Sequence, residues 1–194
     1  MFEVFVDSGA NLPATQVEKY GINVVPFVNR IGEEEIIGYI PGLSLEEERE
    51  NGKKFYDRIR AGAEVKTSLV NSEDFSDAFR PALESGKDVL CICLSSNISG
   101  TFNASRLAAE DLREEYPDRK IVCIDSLNAS LAQGILAIYA VCMQEEGKTI
   151  EEIEEILLSY VPKMNGMFTV GDLKYFLLLI LSMHQGLSFC HVSF

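Results

Sequence analysis

The chain has 194 residues, enough for one large or two small domains around a buried core, and its 47% hydrophobic and 24% charged residues are ordinary for a globular protein. A formal net charge of −13 argues against nucleic acid and anionic membrane surfaces as main partners. Met1-Phe2-Glu3-Val4 enters a strand pattern with no basic leader. The longest apolar run, Phe176 to Leu181 with Met183 beyond, is too short to span a bilayer, so the expected chain is cytoplasmic and not transmembrane.

Glu3 to Val6 reads as a first strand ending in Asp7-Ser8-Gly9. Asn11-Leu12-Pro13 starts a short helix, with Asn11 or Leu12 near the cap, and Gly21 ends it. Ile22 to Val28 is a second apolar strand, followed by a turn at Arg30-Ile31-Gly32 and a short polar strand from Glu34 to Tyr39. The acidic cluster Glu46 to Glu50 reads as a solvated loop or helix face, and Lys53 to Arg60 as a helix closed by Gly62. Val65 to Ser68 is extended. Asn71 or Ser72 then caps a helix, with Glu73 and Asp74 in its first turn, that runs through Phe75 and Phe79 to Gly86.

The stretch DVLCICLSSNISGTFNA, Asp88 to Ala104, starts as a buried strand and ends as a helix. Between them stand Ser95, Ser96, Ser99 and Thr101 with Gly100, four hydroxyls and a glycine at a helix N-terminus. One hydroxyl is what an ordinary cap needs; four also suit an anion at the positive end of the helix dipole, and both readings stand. Lys120 to Asp125 is a further buried strand, ending in Asp125-Ser126-Leu127-Asn128-Ala129-Ser130 before a helix from Leu131 to Glu146. Thr149 with Glu152 forms a capping box for the next helix, and Met167 to Val170 is a last short strand.

Alternating strands and helices give an α/β fold: a mainly parallel sheet with helices on both faces. The ends Asp7-Ser8, Ser95 to Ser99, Asp125-Ser126 and Thr67-Ser68 are then expected to converge on one sheet edge, where such sheets bind ligands. Chemistry is restricted at that edge. GxxxxGK[ST], GxGxxG and GxSxG are absent, and the carboxylate runs lack metal-ligand spacing. Both histidines, His184 and His191, lie in the last eleven residues, so the body of the chain cannot form a Ser-His-Asp triad or a Cys-His pair. Cys91, Cys93 and Cys123 in strands and Cys142 on a helix read as buried apolar residues. Hydroxyls and N–H groups without a base hold an anion, so binding is favoured over catalysis.

Five stretches, DSGANLP near the start, KTSLVNSEDF at 66–75, SSNISGTF at 95–102, IDSLNASLAQG at 124–134 and FTVGDLKYF at 168–176, together resemble the bacterial DegV family. The resemblance implies a fatty-acid-binding protein, not an enzyme, whose ligand is a long-chain fatty acid and whose partner in some cases is a fatty acid kinase. It implies that Thr67 and Ser99 hold the carboxylate; the hydroxyl-bearing loops of the same edge add Ser68, Gly100, Thr101, Ser96 and Ser126 as ligand-binding candidates. No metal or cofactor is expected. The usual TSxPS is here Thr67-Ser68-Leu69-Val70-Asn71, without its proline. Residues 1–175 read as the lipid-binding lobe, and 176–194, without Lys, Arg, Asp or Glu, as an apolar tail in place of a second domain. That break reads as a truncation, and the tail as a means of self-association. Two other readings are a truncated fragment that binds nothing and a hydrolase or phosphotransferase using the serine-rich loop.

Overall fold

The structure, a computed structural model, describes residues 1–167. Strand β1 (Phe2–Asp7) is the centre of the molecule because it is apolar on both faces: Phe2, Val4 and Val6 point one way and Phe5 the other, all buried. Such two-sided burial needs cover on both sides of the sheet. β2 (Asn23–Val25) lies on one side of β1, and β6 (Asp88–Cys93) then β7 (Ile121–Asp125) on the other, all parallel. Val4, Val6, Leu90, Ile92 and Ile124 meet α5 (Leu131–Glu145) and α6 (Ile150–Tyr160), with Leu12 and Tyr20 flanking α1 (Ala14–Tyr20) against that core. Phe5, Val89, Cys91 and Cys93 meet α3 (Ser72–Glu84) and α4 (Thr101–Glu115) on the opposite face. Each fully buried large side chain contributes roughly 1.5–3 kcal/mol. Phe79 stands edge-on to Phe5, ring centroids 5.0 Å apart, so truncating it to alanine is expected to cost about 3–5 kcal/mol. The expected α/β layering with a mainly parallel sheet is what the chain adopts.

The second sheet was not expected. The apolar run Ile22 to Val28 is two strands: Pro26, with no N–H to give a ladder, ends β2, and β3 (Val28–Ile31) turns away. β3 pairs antiparallel with β4 (Glu34–Ile37) and with β5 (Val65–Ser68) in the order β4-β3-β5. Thr67 and Ser68 therefore do not end a fourth parallel strand; they arrive from this small sheet. Ser8 anchors it to the large one, its Oγ accepting the Phe27 N–H at 2.9 Å. Gly38 is required beside that joint, since a Cβ there would lie 2.9 Å from Ser8 Oγ and 3.0 Å from the Phe27 carbonyl.

Two helix starts also differ from expectation. Glu46 to Arg60 belongs to a single helix, α2 (Leu45–Arg60), started by a capping box between Ser44 and Glu47, and no residue of it is fully buried. At α1 the cap position is Pro13 rather than Asn11 or Leu12. Asn11 is left-handed (φ 50°), and Glu48 of α2 accepts the Ala14 N–H at 2.7 Å in place of a local cap. The capping boxes at Asn71/Asp74 and Thr149/Glu152 form as the sequence requires. FTVGDLKYF, most of the expected strand at 167–170 and the apolar tail lie outside the described residues. Among those described, no helix is long and apolar enough to cross a membrane.

Candidate functional site

The connections after β1 and β6 leave toward opposite faces, to α1 and to α4, so the crevice between these two neighbouring strands is a topological switch point. Its floor is taken by the protein's own carboxylate. Asp7 Oδ2 accepts the Leu94 N–H at 2.7 Å and Gln133 Nε2 at 3.1 Å, while Oδ1 accepts the Gly9 N–H at 2.9 Å. Asp7 is fully buried, and burial pushes its carboxyl up from its ordinary value against the opposing pull of those hydrogen bonds. The same Gln133 Nε2 also donates to the Ile92 carbonyl at 3.0 Å, and its Oε1 is buried without a partner among the described residues.

Asp125 does the same work one strand further on. Its Oδ1 accepts the Ser96 N–H at 3.1 Å and the Leu127 N–H at 3.0 Å, tying the two loops together. Ser126 is buried, and its hydroxyl both donates to the Asn128 carbonyl and accepts the Asn128 N–H. Its hydrogen bonding closes within its own loop. Ser96 is exposed at the rim.

The open donors lie at the start of α4. Ile98 and Ser99 N–H groups both turn back to the Ser95 carbonyl, which brings the chain round into the helix at Gly100. The cap position, Gly100, has no side chain, and among the described residues none accepts the Phe102 or Asn103 N–H groups, which also lack an acceptor within the helix. Ser99 Oγ lies 2.8 Å from Thr101 Oγ1 and accepts the Thr101 N–H at 3.3 Å. Thr101 is buried and Ser99 half-buried. Two hydroxyls carry two protons, and their mutual bond uses one. One O–H remains for an acceptor from outside, next to the positive end of the helix.

Thr67 and Ser68 approach from β5. The Thr67 hydroxyl donates to Asn29 Oδ1 at 2.9 Å and the Ser68 hydroxyl to the Val28 carbonyl at 3.0 Å. The next residue, Leu69, reaches the helix start: a Cβ on Gly100 would sit 3.7 Å from Leu69 Cδ2. The two loops are therefore in contact although Thr67 and Ser99 belong to different sheets. Leu69, beside Gly100, and Ile98, next to Ser99 in the chain, are each about half exposed (52% and 47%), as are Leu127 and Leu131 after β7 (50% and 58%). A polar edge bordered by exposed leucine and isoleucine suits an amphiphile.

A cavity of about 320 Å³ lies elsewhere, on the far side of the Asp7-Ser8 turn, lined by Ser8, Leu12, Ile37, Tyr39 and Glu48 among others. It includes none of Thr67, Ser96, Ser99 or Thr101. Glu48 and Asp7 on its wall disfavour an anion, and burial with Glu18 and Glu48 nearby pushes the Tyr39 hydroxyl up as well. The hydroxyl edge suits a carboxylate better than this cavity does. Asn29, which bonds Thr67 38 residues away, carries no signal in the sequence; Ser8 stands at an expected site end, but its bond to Phe27, 19 residues away, is not readable there.

Residues 1–177 match the family model described as "Uncharacterised protein, DegV family". The chain is 37% identical over 174 residues to a DegV domain-containing protein of Clostridium perfringens, covering 90% of this chain and 58% of that one. It is similar to a Thermotoga maritima protein whose structure is described as revealing fatty acid binding function, with TM-score 0.67 and 35% identity over 83% of this chain and 55% of the other. It is similar too to a fatty-acid-binding DegV family protein of Thermus thermophilus, with TM-score 0.70, 26% identity and coverage of 83% and 53%. The chain spans less than three-fifths of the length of each of these relatives.

Proposed function

The chain belongs to the DegV family, and on that premise we propose that it binds a long-chain fatty acid, with Thr67 and Ser99 holding the carboxylate. The observation that carries this reading is the α4 start. There the Phe102 and Asn103 N–H groups and the Ser99–Thr101 hydroxyl pair lie at a helix start beside Leu69, with Leu69 and Ile98 half exposed. A carboxylate placed there receives charge-assisted hydrogen bonds, and its acyl chain leaves over Leu69, Ile98, Leu127 or Leu131. Gly100 keeps the approach to the helix free of a side chain, and Ser96 stands at the exposed rim.

Binding without turnover fits the residues present. Asp7 and Asp125 accept backbone N–H groups and are not placed to remove a proton from a serine. The neutral donors at α4 stabilise an anion without activating it. An exposed carboxylate site also leaves the head group open to a second protein, in keeping with presentation of the ligand to a fatty acid kinase.

Native mass spectrometry of the chain purified from a bacterial host tests the reading. The expected spectrum contains a fraction of protein heavier by the mass of a fatty acid, lost on delipidation and restored by added oleate. A spectrum of bare protein that oleate does not shift contradicts it.

A further inference from the structure

Thr67 and Asn29 are a register pair on β5 and β3, and the ladder between these strands fixes their side chains against each other at 2.9 Å. A threonine hydroxyl has a single proton, and here that proton goes to the Asn29 amide oxygen. What Thr67 offers a ligand in this arrangement is lone pairs, which a carboxylate oxygen cannot accept from. Ser68 is no substitute, because its proton goes to the Val28 carbonyl. The clamp therefore needs a change at Asn29. An amide carries an acceptor on one side and two donors on the other, and a half-turn about its last bond exchanges them with almost no change of shape.

We infer that Asn29 is the positioning residue of the carboxylate site: in the ligand-bound protein its amide presents Nδ2–H to Thr67 Oγ1, and the Thr67 proton turns to the ligand. Asparagine is suited to this because it both accepts and donates. Aspartate would only accept and would hold the Thr67 proton permanently; leucine would leave the hydroxyl unoriented. In the ligand-free protein the same pair keeps the Thr67 hydroxyl satisfied at an exposed position. The inference rests on the fatty-acid reading of this site.

The test is calorimetric titration of the full chain with sodium oleate, using Asn29→Asp, Asn29→Leu, Thr67→Val and the Asn29→Leu/Thr67→Val double variant. Asn29→Asp is expected to weaken oleate by about tenfold or more, the scale of one charge-assisted hydrogen bond. Asn29→Leu is expected to weaken it by a smaller factor in the wild-type background and by none in the Thr67→Val background, because its effect passes through that hydroxyl. Wild-type affinity in Asn29→Asp, or an Asn29→Leu loss of equal size in both backgrounds, overturns the inference. Side-chain amide NMR supplies a readout that survives an unstable variant: the Asn29 NH₂ signals shift on adding oleate to the wild type, and unshifted signals overturn the inference equally. If Thr67→Val weakens oleate and Asn29→Asp does not, only the role of Asn29 falls. If Thr67→Val binds as the wild type does, or the wild type binds no oleate, the clamp itself fails and takes the inference with it.

Discussion

Asp7 reaches from the end of β1 to the Leu94 N–H at the end of β6, 2.7 Å away, and so fills with a side-chain carboxylate the crevice where this class of sheet receives ligands. The proposed carboxylate site is accordingly placed sideways, at α4, where donors remain. Asp7 is fully buried, and among the described residues its hydrogen-bond partners include no cation.

Burial raises the Asp7 carboxyl above its ordinary 3.8, so the folded state holds this proton more tightly than the unfolded chain. The associated stability is complete below 3.8 and is lost as pH rises through the higher folded value. The wild type is therefore expected to lose stability relative to Asp7→Asn between about pH 4 and about pH 7, read as the difference in urea unfolding free energy at the two pH values. A wild type that gains on Asp7→Asn over that interval would show that the three hydrogen bonds outweigh burial.

The clamp makes a prediction about its own members. Thr67→Val and Ser99→Ala each remove a donor to a charged group and are expected to cost roughly 1.5–3 kcal/mol of oleate affinity, about tenfold or more. Displacement of a fluorescent acyl probe measures it. Circular dichroism should find both variants folded, since neither hydroxyl is part of the core.

The sequence showed the parallel sheet because each of its strands is an apolar run bounded by polar residues, and it showed the serine-rich edge because those loops follow such runs directly. Two strands of the small sheet, Glu34–Ile37 and Val65–Ser68, were legible as extended segments, but their pairing was not: they are mostly exposed, and their common partner β3 lies in a run that reads as one strand through Pro26. Local helix starts such as Asn71/Asp74 were legible for the opposite reason, that both partners stand in one turn. The Ala14 cap from Glu48, 34 residues away, and the Thr67–Asn29 bond, 38 residues apart, depend on tertiary approach and leave no trace at either position.

Asp125 holds two loops together by accepting two backbone N–H groups, and the proposed site does not include it. Asp125→Asn leaves the Ser96 and Leu127 N–H groups with a weaker acceptor and is expected to destabilise the fold by about 1–2 kcal/mol in urea unfolding while changing oleate affinity little. A variant that unfolds like the wild type and binds no oleate would place Asp125 in the binding site instead.

Two glycines inside helices should respond oppositely to alanine. At Gly134 of α5 a Cβ would lie 2.7 Å from Leu12 Cδ2 and 3.2 Å from the Ala10 carbonyl, so Gly134→Ala is expected to destabilise by about 1–3 kcal/mol despite its better helix propensity. At Gly52 of α2 nothing lies within 4 Å, and Gly52→Ala is expected to stabilise by about 0.5–1 kcal/mol. Thermal unfolding of the two variants checks both signs.

The central claim, that a fatty-acid carboxylate sits between Thr67 and the start of α4, is tested most directly by NMR of oleate labelled with ¹³C at its carboxyl carbon. In the wild-type chain the account predicts a bound carboxyl resonance distinct from free oleate. It should titrate at lower pH than the free acid, because donors to the charged form hold the proton off. Thr67→Val and Ser99→Ala should each move that resonance or abolish it. A bound resonance identical in all three proteins would put the carboxylate elsewhere and contradict the account.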